Sequence, residues 1–89
     1  MISHTTEPFR KSFADLPKLI QQQAKTVYKQ FIKDPYHPSL QFKRIHSTKP
    51  IYSVRINLDY RAIGILQENE IIWFWIGSHN CYEKLIQRR

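Results

Sequence analysis

The hydrophobic pattern of this chain changes period once, near residue 40, and that change divides it into a helical part and a sheet part. Leu16, Leu19, Ile20, Ala24, Val27, Tyr28, Phe31 and Ile32 follow one another in steps of three and four, which places them on one stripe of an amphipathic helix. Lys18, Lys25, Lys29 and Lys33 fall mostly off that stripe. Asp15 is suited to cap the helix and Pro17 to open it, where a missing N–H costs little. Asp34-Pro35 stops it, because a residue before proline avoids the α region. Upstream, Thr6 to Phe13 fits a short edge strand or a first helical turn, and is assigned to a strand.

Beyond the stiff Pro35-Tyr-His-Pro38 connection the period falls to two. Leu40 and Phe42 alternate with Gln41 and Lys43, predicting a strand to about His46. Tyr52, Val54, Ile56 and Leu58 share one face of a second strand, and Ser53, Arg55 and Asn57 the other. Asn57-Leu-Asp59 turns the chain into a return strand, Tyr60 to Leu66. A further turn at Glu68-Asn-Glu70 leads into Ile71-Ile-Trp-Phe-Trp-Ile76. That apolar run carries two Trp and a Phe and reads as a strand buried on both faces. Gly77 breaks it. Asn80 followed by Glu83 marks the start of a short closing helix, Cys81 to Gln87. Hairpin-length connections between the strands predict an antiparallel meander packed on the helix, an α+β class. No linker or repeat divides the chain, so residues 1–89 are expected to form a single domain.

Charge changes the picture next. Fourteen Lys and Arg stand against seven Asp and Glu, a net charge of +7. An isoelectric point near 9.8 is common in small domains that meet a polyanion, nucleic acid first among them, and the same charge can serve only to keep the domain in solution. Acidic proteins and anionic membranes would suit the same charge. A single cysteine, Cys81, excludes an internal disulfide and is expected to be a packing residue. No apolar stretch approaches a bilayer span and no signal core is visible at the start, so a cytoplasmic location is expected.

Several chemistries lack their residues. Two glycines, Gly64 and Gly77, make no phosphate-binding loop. The four histidines, at 4, 37, 46 and 79, lack zinc spacing, and the carboxylates are scattered. No cofactor or metal is expected. What remains is a constellation of Arg55, Arg61, His79 and Tyr82, with Lys43, Arg44 and His46 as outer candidates for RNA contact. If the turn centres on Leu58, Arg55 and Arg61 face each other across the hairpin. Two guanidiniums so placed repel unless an anion lies between them, and phosphate matches their planar forks. The alternative is that each pairs with a carboxylate such as Asp59 or Glu70.

The segments Ser53-Val-Arg55-Ile-Asn-Leu-Asp-Tyr60-Arg61-Ala-Ile and Trp75-Ile-Gly77-Ser-His79-Asn-Cys-Tyr82 resemble the RelE/ParE superfamily of bacterial toxins from type II toxin–antitoxin modules. The preceding helix, the Asp-Pro break and the Leu40-x-Phe42-Lys43 strand follow in that family's order, so the resemblance covers about residues 9 to 87. It implies a microbial ribonuclease-type fold, with an N-terminal strand and helix packed on a four-stranded antiparallel sheet and a short C-terminal helix. It also implies mRNA cleavage, in some members on the ribosome, by attack of the substrate's own 2′-OH on the adjacent phosphate. On this resemblance Arg55 and Arg61 correspond to phosphate-stabilising arginines, His79 to the proton-transfer position and Tyr82 to the tyrosine of the closing helix. Without it, His79 reads as a brace of the strand–helix junction and Tyr82 as core. The implied partners are a cognate antitoxin, mRNA and the ribosome. ParE-type relatives inhibit DNA gyrase instead. A third reading is a non-catalytic nucleic-acid-binding domain using Lys25, Lys29 and Lys33.

Overall fold

The structure, a computed structural model, describes residues 1–78. The predicted closing helix, Cys81, His79 and Tyr82 lie outside the described residues. The elements run β1 (Ile2–Thr5), α1 (Glu7–Ala14), α2 (Lys18–Lys33), a 3₁₀ turn (Pro38–Leu40), β2 (Lys43–Arg44), β3 (Ile51–Arg55), β4 (Tyr60–Gln67) and β5 (Glu70–Ser78). The α+β class and the β2-to-β5 antiparallel meander are as expected. The sheet, however, has five strands in the order β1-β5-β4-β3-β2, and β1 lies parallel to β5.

The N-terminal strand therefore sits earlier than the sequence suggested, and Thr6 to Phe13 is helical instead. The reason is local. The Thr6 hydroxyl accepts the Phe9 N–H at 3.3 Å, capping α1, while Pro8 occupies its first turn. A Glu7–Lys11 pair at 3.2 Å lies on the exposed surface one helical turn apart. Asp15 closes α1 rather than opening α2, its N–H donating back to Lys11 and Phe13 carbonyls. Pro17 precedes α2 without a side-chain cap. Gln21 ties the two helices together, its Nε2 donating to the carbonyls of Ala14 (3.1 Å) and Leu16 (3.0 Å). Carbonyls at a helix end need such outside donors.

α2 buries Ala24 and Phe31 and leaves Lys25, Lys29 and Lys33 exposed. Leu19 and Ile32, placed on its apolar stripe by spacing, are 63% and 51% exposed. The strand expected from Leu40 to His46 shrinks to two residues. Leu40 is the last residue of the 3₁₀ turn, and Gln41 follows at φ 46°, a left-handed conformation incompatible with a continuous strand.

Tyr52, Val54 and Ile56 of the β3 region, Ala62 and Leu66 of β4, and Ile71, Trp73 and Ile76 of β5 join Phe31 and Leu40 in the core. Phe31 is its centre, 1% exposed, with edge-to-face contacts to Trp73 (5.2 Å) and Phe42 (5.1 Å). Each such ring pair adds roughly 0.5–1.5 kcal/mol beyond area burial. Gly64 faces this core: a Cβ there would stand 2.9 Å from the Trp73 ring and 3.0 Å from Ile71. Between Ile63 and Gly64 the β4–β5 register shifts, because Ile63 pairs with Trp75 and Gly64 with Trp73. Phe74 is the extra residue of a bulge, and the alternation of faces changes phase there.

Candidate functional site

Two arginines meet at the β3–β4 hairpin. The register pairs Arg55 with Arg61, Val54 with Ala62 and Ser53 with Ile63. Val54 and Ala62 point into the core, so by alternation both arginines stand on the opposite face of the sheet. Ile56 N–H donates to the Tyr60 carbonyl at 3.0 Å, which puts the arginines at the neighbouring non-hydrogen-bonded position, where cross-strand side chains approach most closely. Both are half-buried.

The turn between them is built by Asn57. Its Oδ1 accepts the N–H groups of Asp59 (2.8 Å) and Tyr60 (3.0 Å), and its Nδ2 donates to Gln23 Oε1 on α2 at 2.7 Å. Arg61 folds back on the same turn: Nη1 donates to the Asn57 carbonyl and, at 3.0 Å, to the Tyr60 carbonyl. With Nη1 held by backbone, the Nε–Nη2 edge of the fork remains for an anion. The Arg55 side chain makes no hydrogen bond or ion pair among the described residues, whose ion pairs are His4–Glu70 and Glu7–Lys11. Neither arginine is paired with Asp59 or Glu70, the alternative that the sequence left open. Two cations directly opposite each other destabilise a sheet, and a bound phosphate would reverse that.

The outer candidates separate. Lys43 pairs with Ser53 and so shares the arginine face. Arg44 pairs with Tyr52, a core-face residue, and its Nε donates to the Lys49 carbonyl at 3.2 Å. His46 organises the β2–β3 loop: its Nδ1 accepts the N–H groups of Thr48 (3.2 Å) and Lys49 (3.0 Å). In that neutral tautomer the proton sits on Nε2. Ser78, the last described residue, pairs with Tyr60, and Gly77 pairs with Arg61. The last described residues of β5 thus stand beside the arginine pair, and His79 is the next residue in sequence. A Cβ on Gly77 would meet the Trp75 ring at 2.8 Å, so the indole lies over that strand end.

A concavity of about 490 Å³ lies on the other side of the sheet, between α1, α2 and residues such as Val54 and Trp73. Its lining is apolar, with Arg10, Lys25 and Lys29 the cations among its residues. Among the described residues no group of three His, Cys, Asp or Glu side chains is placed to hold a metal ion, and no helix is long and apolar enough to cross a membrane. Sequence reasoning found the arginines but gave Asn57 only a turn role. Its bond to Gln23 spans 34 residues and has no signature in local pattern.

This strand order, with two helices packed on one sheet face, is the fold of the small RelE-type toxins. The M. jannaschii RelE–RelB toxin–antitoxin complex superposes with a TM-score of 0.74 at 16% identity, covering 92% of this chain and 96% of that one. The RelBE2 complex of Mycobacterium tuberculosis gives 0.70 at 13% identity, over 88% and 96%. YafQ of E. coli gives 0.67 at 16%, over 90% and 94%. No curated protein sequence matches. The profile of the ParE-like toxin domain matches residues 18–84, and the chain belongs to that family, as a toxin of a toxin–antitoxin system.

Proposed function

We propose that the protein is a metal-independent mRNA endoribonuclease that inhibits translation and is neutralised by a cognate antitoxin. The observation that carries this reading is the Arg55–Arg61 pair: like charges held in register, without a carboxylate partner among the described residues. In the reaction the substrate 2′-OH loses its proton to a base and O2′ bonds to phosphorus. The P–O5′ bond breaks, and an acid protonates the departing O5′. The products are a 2′,3′-cyclic phosphate and a 5′-OH end. Arg55 and Arg61 stabilise the charge that develops on the non-bridging oxygens. His79 is the proton-transfer group, since an imidazole titrates near neutrality. Tyr82 stacks on a base or helps place the proton. Lys43 extends the basic surface along the same face. The antitoxin, through acidic side chains, covers the arginine pair.

The test is to induce the chain in bacteria and map mRNA ends. The expected result is new 2′,3′-cyclic phosphate termini, lost in Arg61→Ala and His79→Ala variants that remain folded. Cleavage undiminished in both variants would remove the site assignment. The match to a ParE-like profile favours a second reading, inhibition of DNA gyrase by binding. Purified protein that blocks gyrase supercoiling and leaves mRNA intact would establish it in place of the first.

A further inference from the structure

Resting on the reading of Arg61 as a phosphate-stabilising group, we propose that Gln23 and Asn57 are positioning residues for it, so that α2 forms part of the candidate active site. The argument begins with the Asn57 amide. Its Oδ1 receives two backbone N–H groups, from Asp59 and Tyr60, so the amide cannot be flipped, and its NH₂ must face Gln23. Gln23 supplies Oε1 at 2.7 Å, the shortest side-chain bond that Asn57 makes. Gln23 in turn projects from the middle of α2, a helix of 16 residues anchored by buried Ala24 and Phe31. The Asn57 carbonyl then receives Arg61 Nη1. The link from a rigid helix to the guanidinium thus runs through one residue, Asn57, whose side-chain amide is bonded to Gln23 and whose backbone carbonyl is bonded to Arg61.

A turn alone does not need Gln23. The bonds from Asp59 and Tyr60 close the Asx turn within the hairpin, 34 residues away from Gln23 in sequence. What the Gln23 bond adds is a fixed position for the turn relative to the helix layer, and with it a fixed direction for the Nε–Nη2 edge. Catalytic groups placed in advance lose little rotamer freedom when the transition state forms.

The experiment compares Gln23→Leu, which removes the acceptor while keeping the bulk, with Gln23→Glu, which keeps an acceptor for Asn57 Nδ2. Two readouts are taken. Side-chain NMR of Arg61 reports rotation of its guanidinium and needs no catalysis. RNA cleavage kinetics report kcat and KM. The Arg61 Nη signals should be distinct in the wild type and averaged in Gln23→Leu. It should lower kcat about tenfold with KM within about twofold, as expected for an interaction made in the transition state. Gln23→Glu should restore both. In an Arg61→Ala background, Gln23→Leu should cost nothing further. Arg61 signals unchanged by Gln23→Leu would overturn the proposal, as would an equal loss of kcat with and without Arg61. A wild-type protein that cleaves no RNA, while Gln23→Leu still frees the guanidinium, would sink the nuclease reading and support the tether.

Discussion

The two faces of this sheet obey opposite rules. On the helix side, polar groups find partners at close range. Ser3 receives both the Trp73 indole N–H (3.0 Å) and the Tyr28 hydroxyl (3.1 Å), stitching β1, β5 and α2 together. The Thr6 hydroxyl donates to the Trp73 carbonyl at 3.2 Å. On the other side, two arginines stand opposite each other, and Arg55 has no partner among the described residues. One face is arranged for stability. The other holds a local conflict that a bound anion would relieve, the kind of cost proteins retain at functional sites.

That division is breakable by mutation. The largest effect belongs to the packed face: Trp73→Ala should lower unfolding free energy by roughly 3–5 kcal/mol, measured by chemical denaturation, because it empties a site in contact with Phe31 and removes one of the two donors to Ser3. Next, Arg61→Ala should reduce RNA cleavage by about 10²–10³-fold, the usual worth of one group aimed at developing charge. It should leave the denaturation midpoint nearly unmoved, and a large loss of stability would place Arg61 in the wrong category. Gly64→Ala should destabilise by roughly 1–3 kcal/mol through overpacking, since the Trp73 ring and the Ile72 carbonyl already stand where the methyl must go. The smallest effect is the sharpest. Arg55→Gln should raise stability by roughly 0.2–1 kcal/mol at low salt, by removing the like-charge pair. The gain should fade as salt screens the repulsion. A salt-independent change of either sign would mean that the two guanidiniums do not interact.

Much of the division was legible in the alternation of residues. The spacing of Tyr52, Val54 and Ile56 against Ser53 and Arg55 assigned faces correctly, and a turn centred on Leu58 set the arginines in register. Three features escaped for physical reasons. β1 is short and polar, and a parallel pairing with a strand 68 residues away leaves no periodic trace. Thr6 and Pro8 favour a helix start more strongly than Phe9 and Phe13 favour a strand. The bulge at Phe74 hides in a run where every residue is apolar, so no pattern of polar positions marks the change of phase. The bond from Asn57 to Gln23 is tertiary. His79 and Tyr82 were named from the sequence and lie outside the described residues.

The parallel pairing of β1 with β5 also dictates the order in which the molecule assembles. The β2-to-β5 hairpins are local and need little loop closure, whereas docking Ile2 beside Glu70 must close nearly the whole chain. Contacts of that separation form late, because the entropy of closure comes before the contacts that reward it. β1 is therefore the last strand to join and, with four residues, the first to leave. Its departure would free the edge of β5 and release Trp73 Nε1 and Tyr28 from Ser3 at a single stroke. Ser3 thus acts as a latch on a sheet that is otherwise complete without it.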